Sequence, residues 1–517
     1  MMDDVLAESG FHPVERDQIG AFVWTMGAFR IALKRAVHFA RIRLCYYGDE
    51  GMLTVQGAGG MLDQTPLCRG WHTSAARLGH AKAGDVILFR VAPIVPVEGD
   101  TRQLGVMLRD IELFDDPAAL DRIRVMGRNL RLNQQEYQKG RTVLQSTPPA
   151  LRVNLEVRCN IPETGRACAY CAWDWAKESE RGSPAFTLNT PDALDDFYGH
   201  AIEINDCSIG EPAMSRDFAA IVARFDREGK RFSLTTNGQL LTPRLRSEIV
   251  GKNLVVYVSI NSATAAGYAR YRNDRFDDVV ANLEALCREK KAHHDLPRVH
   301  VSFLVMRSNR SELPEFFALA RQVGVDEIKL RSLYLDDNLP AVAENNGYRF
   351  DYAAEVLAFD ELAAIARTAR QLASEHRIAL CVEWEQFLAH VDRPAAPMCA
   401  EPWHTMYILR RGIMPCAYAT EPIAHWNEQR GRPLAEFLKD VFNGSAYQEI
   451  RAELAAGRLA GYCRNTPSCP ILKNMQMQGL VATDQNAYQR CALAAAAGEP
   501  SLPLVSREIL TVAGRAA

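Results

Sequence analysis

The feature that most constrains the fold is a regular alternation of β-strand and α-helix patterns over residues 151–332. Each short apolar run is followed by a stretch with the apolar spacing of an amphipathic helix. Six such units in succession predict a parallel sheet with right-handed crossovers. About 180 residues are too few for an eight-unit barrel, so the expected fold is α/β, a partial (β/α)6 barrel. The predicted strands are "LRVNLEV", "AIEINDC", "RFSLTT", "LVVYVSI", "RVHVSFLV" and "EIKLRSL".

The flanking segments have different patterns. Residues 1–150 contain short alternating runs separated by Gly, Asp and Pro, which predicts an N-terminal β-sandwich module. Residues 333–394 predict a connecting α/β segment, with a helix at "FDELAAIARTARQLASEH" and a strand at "IALCVEW". Residues 395–517 are irregular, and their cysteines near turn residues predict a small cysteine-rich domain and a C-terminal tail.

The composition excludes several functional classes. The chain has 517 residues and a net charge of -3, so it lacks the basic excess of a nucleic-acid or anionic-membrane binder. Its apolar runs are far shorter than the ~20 residues of a membrane span, and its N-terminus has no apolar signal segment. We therefore expect a cytoplasmic protein. Thirteen cysteines, an odd number, then indicate metal or redox chemistry rather than a disulfide framework.

Three cysteines follow the first predicted barrel strand, in "NLEVRCNIPETGRACAYC". They are Cys159, Cys168 and Cys171, and they fall where partial barrels carry their chemistry, at the C-terminal strand ends. A structural zinc site wants four ligands, commonly two pairs of cysteines, and only one CxxC pair is present. A [4Fe-4S] cubane held by three thiolates keeps one iron open for a substrate or cofactor. The group therefore predicts a cluster with an open iron.

From this strand onward the chain resembles the radical S-adenosylmethionine superfamily. "NLEVRCN" resembles the family's first strand running into the first cysteine, and "CAYC" matches its usual aromatic residue at Tyr170. The family places three residues between the first two cysteines, whereas this chain has eight. Lengthening that loop costs only about 0.9 kcal/mol of closure entropy, which cluster ligation can offset.

Further motifs at successive strand ends carry the same resemblance. "CSIGEPAM" resembles the family's Gly-Gly-Glu-Pro turn, which implies that Gly210, Glu211 and Pro212 hold the methionine amino group of S-adenosylmethionine. Ile209 replaces the turn's first glycine.

"LTTNG" and "VSINS" resemble the third and fourth strand ends, which implies that Thr236 and Ser259 stand near the cofactor's ribose and carboxylate. Arg272 in "RYRNDRF" would pair with that carboxylate through its guanidinium fork.

A second cysteine group resembles a SPASM or twitch domain. "MCAEPWHTMYILRRGIMPCAYA" and the later "GYCRNTPSC" match its order of cysteine, Pro-Trp, strand, glycine turn and Pro-Cys. The family usually has four residues between the glycine and the next cysteine, whereas three separate Gly412 from Cys416 here. The resemblance implies one auxiliary [4Fe-4S] cluster, and zinc stays open because four thiolates also satisfy it. The four expected ligands are Cys399, Cys416, Cys463 and Cys469. We expect the other cysteines to be packing thiols.

The resemblance implies an oxidoreductase that takes an electron from a donor such as flavodoxin or ferredoxin, cleaves S-adenosylmethionine and removes a substrate hydrogen atom. An auxiliary cluster with four protein ligands suits a net oxidation, with epimerisation or crosslinking as alternatives. The N-terminal motifs "GFHPVE" and "GWHTSAARL" resemble a module beside enzymes of surface polysaccharides, which favours a carbohydrate or glycoconjugate substrate. Peptide maturation is the alternative, and a non-catalytic metal-binding adaptor is the alternative of another class.

Two further groups of residues are weaker candidates. Trp173 and Trp175 follow the cysteine loop and could stack on a sugar, although packing is the favoured interpretation. Four polar residues follow the sixth strand and could face the substrate, although a solvated loop is favoured: Arg331, Tyr334, Asp336 and Asp337. No residue is identified from the sequence as the one that quenches the substrate radical.

Overall fold

The structure is a computed structural model, and its described residues form three sheets of six, nine and two strands. No helix in the described ranges is long and apolar enough to cross a membrane. The described residues are 5–17, 20–96, 100–162, 168–171, 195–293, 295–333, 342–345, 347–386, 399–419, 421–466, 469 and 471–472.

The N-terminal segment forms one antiparallel sheet. Its strands are β1 (Val5–Asp17), β2 (Gly20–Leu33), β3 (Val37–Gly57), β4 (Gly60–Ala81), β5 (Val86–Ala92) and β6 (Met107–Phe114). Strands β2 and β3 each pair with both β5 and β6, which closes a ring, while β1 and β4 extend it. A single barrel-like sheet therefore stands where the sequence predicted the two facing sheets of a β-sandwich.

The length of β3 and β4 explains this difference. The sequence "GDEG" at 48–51 reads as a turn, but β3 continues through it as a bulge: Tyr46 pairs with Arg69, and Glu50 pairs with Cys68. A Cβ atom at residue 48 or 51 would lie 2.6 Å from the side chain of Tyr46. Glycine at both positions lets that buried ring cover the bulge, so β3 and β4 reach 21 and 22 residues.

Helix α1 (Pro117–Gln138) follows the closed sheet and was not predicted. Asp116 caps it by accepting a hydrogen bond from the backbone N–H of Ala118, and a proline occupies its first turn. Its apolar face, with Leu120 and Ile123, packs on Ala75 of β4. Four arginines interrupt its apolar spacing, which is why the sequence pattern does not reveal it.

The expected alternation of strands and helices is present in the barrel. Six strands pair in parallel in chain order: β7 (Ala150–Val153), β8 (Glu203–Asp206), β9 (Arg231–Thr236), β10 (Leu254–Ser259), β11 (Arg298–Val305) and β12 (Glu327–Ser332). Helices lie between them: α2 (Asp195–His200), α3 (Phe218–Arg227), α4 (Pro243–Ile249), α5 (Ala265–Tyr271), α6 (Phe276–Glu289) and α7 (Leu313–Val323). The order of strands and helices is therefore the one predicted for a partial (β/α)6 barrel.

The barrel sheet continues into later parts of the chain. Strand β15 (Ala379–Val382) pairs in parallel with β12 at one edge, and β16 (Thr405–Leu409) pairs in parallel with β7 at the other. Strand β17 (Gly412–Met414) then adds to β16 in antiparallel orientation. The second cysteine group is therefore attached directly to the barrel sheet.

The remaining elements follow β12 in the chain. Strands β13 (Val342–Asn345) and β14 (Tyr348–Asp351) form a separate hairpin. The other helices are α8 (Tyr352–Glu355), α9 (Phe359–His376), α10 (Glu383–Gln386), α11 (Glu401–His404), α12 (Leu434–Phe442), α13 (Ser445–Ala455) and α14 (Gly461–Arg464). Helix α1 connects the two large sheets, because Asn133 donates a hydrogen bond of 2.8 Å to the carbonyl of Trp403.

Candidate active site

The segment that carries Cys159 is held against the predicted Gly-Glu-Pro turn. The N–H of Gly210 donates to the carbonyl of Glu156 at 3.2 Å, and the N–H of Glu211 donates to that of Arg158 at 2.8 Å. A Cβ atom at Gly210 would lie 2.2 Å from the carbonyl oxygen of Arg158. Because backbone atoms cannot move aside cheaply, only glycine allows this approach. The structure thus brings together two motifs that are about fifty residues apart in the sequence.

The turn that carries Cys168 and Cys171 is anchored by its own backbone and by later elements. The N–H of Cys171 donates to the carbonyl of Cys168 at 3.0 Å, and that of Ala169 donates to Tyr271 at 2.8 Å. The hydroxyl of Tyr352 donates to the carbonyl of Ala169 at 2.6 Å. Residues of α5 and α8 therefore fix the position of the CxxC turn over the barrel.

Tyr170 lies at the centre of a polar cluster beside this turn. Its hydroxyl oxygen accepts hydrogen bonds from Arg272 Nε and Asn261 Nδ2, both at 2.6 Å. The guanidinium of Arg272 also lies over the rings of Tyr170 and Tyr268, at 5.8 and 5.6 Å. Arg272 is only 4% exposed, so its charge is little screened by solvent and acts strongly on the neighbouring groups.

Electrostatics link this cluster to the cysteines. Burial raises the pKa of Cys159 to about 11, and the nearby Cys168 raises it further, while Arg272 lowers it. Burial also raises the pKa of Cys168, opposed by Arg272 and by a hydrogen bond from the Tyr170 hydroxyl. The buried cation therefore favours negative charge on both sulfurs, which is the state that binds iron.

The donor set has the chemistry of a cluster site. Cys159, Cys168 and Cys171 are all half-buried. Within the described ranges, no group of three or more His, Cys, Asp or Glu side chains is arranged to hold a single metal ion. In a cubane each thiolate binds a different iron, so the three sulfurs need not converge on one point. The ligand assignment of these cysteines stays a prediction.

Glu211 joins the Gly-Glu-Pro turn to the end of β9. Its carboxylate accepts from the hydroxyl of Thr236 at 2.6 Å and from the backbone N–H of Asn237 at 2.8 Å. Burial raises the pKa of Glu211, and these hydrogen bonds oppose the rise. The hydroxyl of Thr236 is thus already donated to Glu211, and it also accepts from the N–H of Gly238 at 3.1 Å.

The other predicted cofactor residues occupy the same end of the barrel. Pro212 begins a short 3-10 helix directly after Glu211 and is buried. Ser259 is the last residue of β10, where it is half-buried and pairs with Ser302 of β11. The cofactor contacts predicted for them, and for Thr236, stay predictions.

An amide network beside Cys159 was missed by the sequence analysis. Asn160 Nδ2 donates to Gln239 Oε1 at 3.0 Å, and Asn237 Nδ2 donates to Asn160 Oδ1 at 2.7 Å. Gln239 Nε2 then donates to Asn273 Oδ1 at 2.9 Å. Each amide directly follows or lies next to a motif residue, so proximity to the motifs was the available signal. The network connects the cysteine loop to the Thr-Asn-Gly turn and to Arg272.

The inner wall of the barrel is polar, whereas its outer face is apolar. Outward residues such as Val256, Val301 and Leu330 are buried against the helices. The alternate positions carry charged and polar groups, because successive side chains of a strand point to opposite faces. Ion pairs along this wall include Arg152 to Glu203 at 3.5 Å, Lys329 to Glu383 at 3.7 Å and Arg331 to Glu383 at 2.9 Å. His300 Nδ1 also lies 3.3 Å from the carboxylate of Glu327.

One position on this wall near the candidate site is exposed. The side chain of Arg331 is 47% exposed although it lies on the barrel strand β12. The prediction of a solvated loop for Arg331 therefore gives way to a position on β12 with a carboxylate partner. The other candidates of that group, Tyr334, Asp336 and Asp337, lie outside the described residues, as do Trp173 and Trp175.

The second cysteine group gathers at the β16–β17 edge of the sheet. Burial raises the pKa of Cys463 to about 12, and the nearby Cys469 raises it further. Burial also raises the pKa of Cys399 and of Cys416, and the neighbouring cysteines add to both shifts. Because each of these pKa shifts includes a contribution from a neighbouring cysteine, the four thiols lie close together. Their assignment to an auxiliary cluster stays a prediction.

The remaining cysteines differ in their surroundings. Cys45, Cys68 and Cys287 are buried, and Cys381 is half-buried on β15. Cys207 is half-buried and packs in the same apolar cluster as Cys416 and Tyr407. Cys491 lies outside the described residues.

Comparisons with known proteins agree with the resemblance. No family model matches the chain. A probable GTP 3',8-cyclase of Saccharolobus islandicus is 28% identical over 189 residues, which are 36% of this chain and 56% of the relative. Mycofactocin maturase MftC of Mycolicibacterium smegmatis is 28% identical over 181 residues, which are 34% of this chain and 43% of the relative. The chain thus spans about half the length of these curated relatives.

A solved structure completes the comparison. The structure of Streptococcus suis SuiB bound to S-adenosylmethionine is 13% identical, covers 66% of this chain and 72% of SuiB, and has a TM-score of 0.43. The resemblance to radical S-adenosylmethionine enzymes that the motifs predicted is confirmed by the curated relatives.

Proposed function

We propose that this chain is a radical S-adenosylmethionine enzyme whose cluster is held by Cys159, Cys168 and Cys171. When bound, the cluster and S-adenosylmethionine would supply a 5'-deoxyadenosyl radical that removes a hydrogen atom from the substrate. The electron would come from a donor such as flavodoxin or ferredoxin. The observation that carries the proposal is the docking of the Gly210 turn onto the Cys159 segment through two backbone hydrogen bonds.

The chain's own residues would prepare this site in three ways. Glu211 holds the turn at the end of β9 through Thr236 and the backbone of Asn237, so the turn is in place before a ligand binds. Arg272 places a buried positive charge beside two of the thiols and offsets the negative charge of thiolates. Tyr170 fixes the orientation of Arg272 through their 2.6 Å hydrogen bond.

The inner wall of the barrel would receive the substrate. It presents charges of both signs, and Arg331, which is 47% exposed near the C-terminal end of β12, can reach a ligand in the lumen. A reactive radical needs one substrate hydrogen held within reach and others excluded, and fixed ion pairs on rigid strands suit that task.

For the substrate class we favour peptide maturation over the carbohydrate or glycoconjugate that the N-terminal motifs suggested. One curated relative is a maturase, and neither curated relative reported above is named for a polysaccharide. A polar wall with ion pairs also suits a peptide with polar side chains. The product would be an oxidised or crosslinked residue.

Cofactor cleavage provides the first test. Anaerobically reconstituted protein should form 5'-deoxyadenosine with dithionite, and Cys159→Ala, Cys168→Ala and Cys171→Ala should each abolish it. Cys45→Ala, a thiol of the N-terminal sheet, is the matched control and should retain it. Turnover at the wild-type rate in any of the three ligand variants would refute the assignment.

Substrate class needs a separate test. Short peptides encoded beside the gene would be incubated with the loaded enzyme and analysed by mass spectrometry. Loss of two hydrogen atoms from a peptide would support maturation. Hydrogen loss from a glycoconjugate, with every such peptide unchanged, would return the proposal to the carbohydrate alternative.

A further inference from the structure

A cavity of about 200 Å³ lies between strand β4 and helix α1, apart from the cysteine sites. Its lining includes His72, Thr73 and Ser74 of the strand and Arg124, Arg128 and Arg131 of the helix. None of the residues predicted to bind the cofactor or a cluster lines it. The cavity can therefore be tested independently of the proposed enzyme activity.

The helix side of the cavity is strongly basic. Arg124, Arg128 and Arg131 follow one another at four and three residues, so they share one face of α1. Arg124 forms an ion pair with Asp63. In the part of the chain that the structure describes, Arg128 and Arg131 form no ion pair with an acidic side chain.

The charge of these two arginines is poorly compensated by the protein. Burial lowers the pKa of Arg131, and the charge of Arg128 lowers it further. Cys68 and Glu50 act in the opposite direction, but the carboxylate of Glu50 also accepts a 2.6 Å hydrogen bond from Gln135. Two like charges three residues apart on a helix destabilise it unless a counter-ion is present. This side of the cavity thus favours an anion.

The strand side presents a different group. His72 is 7% exposed, and its Nδ1 lies 2.9 Å from the carbonyl oxygen of Gly70. A carbonyl can only accept, so Nδ1 carries the hydrogen and Nε2 of the neutral ring is an acceptor. Burial lowers the pKa of His72 to about 4, so the ring is neutral at pH 7. Nε2 is buried and has no hydrogen-bond partner in the described structure.

We propose that this cavity binds a small oxyanion that also carries a hydroxyl hydrogen, of which inorganic phosphate is the simplest. The anionic oxygens pair with Arg128 and Arg131, and the hydroxyl donates to Nε2 of His72. A buried acceptor without a partner is costly, and this ligand removes that cost while neutralising the arginine pair. An anion without a hydroxyl hydrogen satisfies only the helix side.

Binding of phosphate and of sulfate to the full chain tests the proposal, measured by calorimetry at constant ionic strength and pH 7. Sulfate has a similar shape and charge but no hydroxyl hydrogen. We expect saturable binding of phosphate and about tenfold weaker binding of sulfate, the ratio that one hydrogen bond supplies. Ribose 5-phosphate distinguishes a phosphorylated metabolite from free phosphate, since tighter binding than phosphate identifies the former.

Variants assign the binding to this cavity. Arg128→Gln with Arg131→Gln should weaken phosphate binding tenfold or more and raise the melting temperature in phosphate-free buffer, because the like charges are removed. His72→Asn keeps a donor for Gly70 and should bind phosphate and sulfate equally. Arg122→Gln, which removes one positive charge from α1 outside the cavity lining, should leave binding unchanged.

Two results would overturn the proposal. One is the absence of saturable phosphate binding to the wild-type chain, which needs no variant to fold. The other is unchanged phosphate affinity in the arginine double variant. Equal affinity of the wild type for phosphate and sulfate would overturn the role of His72.

Discussion

Replacing Gly210 with alanine tests the contact on which the proposed site depends. The new Cβ atom would lie 2.2 Å from the carbonyl oxygen of Arg158 and 2.6 Å from the carbonyl carbon of Val157. Both are backbone atoms, so the turn itself must move. Movement stretches the hydrogen bonds from the N–H groups of Gly210 and Glu211, which are 3.2 and 2.8 Å long.

The magnitude follows from these contacts. Overpacking of this kind costs about 1–3 kcal/mol, and we take about 2 kcal/mol for the docked turn. If that cost makes the undocked turn the more stable conformation, only a minor fraction of the molecules has the docked turn that binds S-adenosylmethionine. The affinity for S-adenosylmethionine then weakens by up to about thirtyfold. The three cysteines stay in the chain, so iron content after reconstitution should change little.

The assay is equilibrium binding of S-adenosylmethionine to the reconstituted protein, with iron content measured on the same sample. Gly199→Ala is the matched control, because a Cβ atom there meets nothing within 4 Å and the residue lies on helix α2. It should bind as the wild type does. Unchanged affinity in Gly210→Ala would refute the inference that this turn positions the cofactor.

Three further predictions concern charge, metal content and pH. Arg272→Gln should lower the midpoint potential of the cluster by on the order of 60 mV, because a buried cation stabilises the reduced state. The potential is measured by potentiometric EPR. As a control, the exposed Arg275→Gln should leave the potential unchanged. The double variant Cys463→Ala, Cys469→Ala should fall from about eight irons to about four and still cleave S-adenosylmethionine, whereas about four irons and one zinc in the wild type would refute an auxiliary cubane. Burial raises the pKa of Asp206 to about 7, so this group stabilises the fold fully below its unfolded pKa of about 4 and loses that contribution as pH rises toward 7. Asp206→Asn should remove this part of the pH dependence in denaturant titrations, and an unchanged slope between pH 4 and 7 would contradict it.

The barrel and the positions of its motifs were predictable from the sequence. Strand and helix patterns depend on neighbouring residues, so six repeated units identify a parallel sheet without knowledge of its contacts. Cys159, Cys168 and Cys171 are grouped by short spacing, and the Gly-Glu-Pro turn is a local motif. The carboxyl ends of parallel strands lie at one edge of the sheet, which is why these motifs meet.

Contacts between residues that are distant in the sequence were determined by the tertiary structure alone. The carboxylate of Glu211 accepts from Thr236, 25 residues away, and Tyr170 accepts from Arg272, 102 residues away. Neither pairing has a local pattern, because a side chain's partner depends on how the strands pack. The closed N-terminal sheet also depends on such contacts. The glycines at 48 and 51 have the pattern of a turn, but they form a bulge because the ring of Tyr46 packs over them.

The cavity beside helix α1 likewise depends partly on the sequence and partly on the packing. The sequence contains its arginines at helical spacing, but α1 and β4 meet only after the chain has closed a sheet between them. The neutral state of His72 likewise results from burial, which is a property of packing and has no signal in the residues around it. Local spacing therefore determined which chemical groups the chain carries, and packing over long sequence distances determined which of them meet.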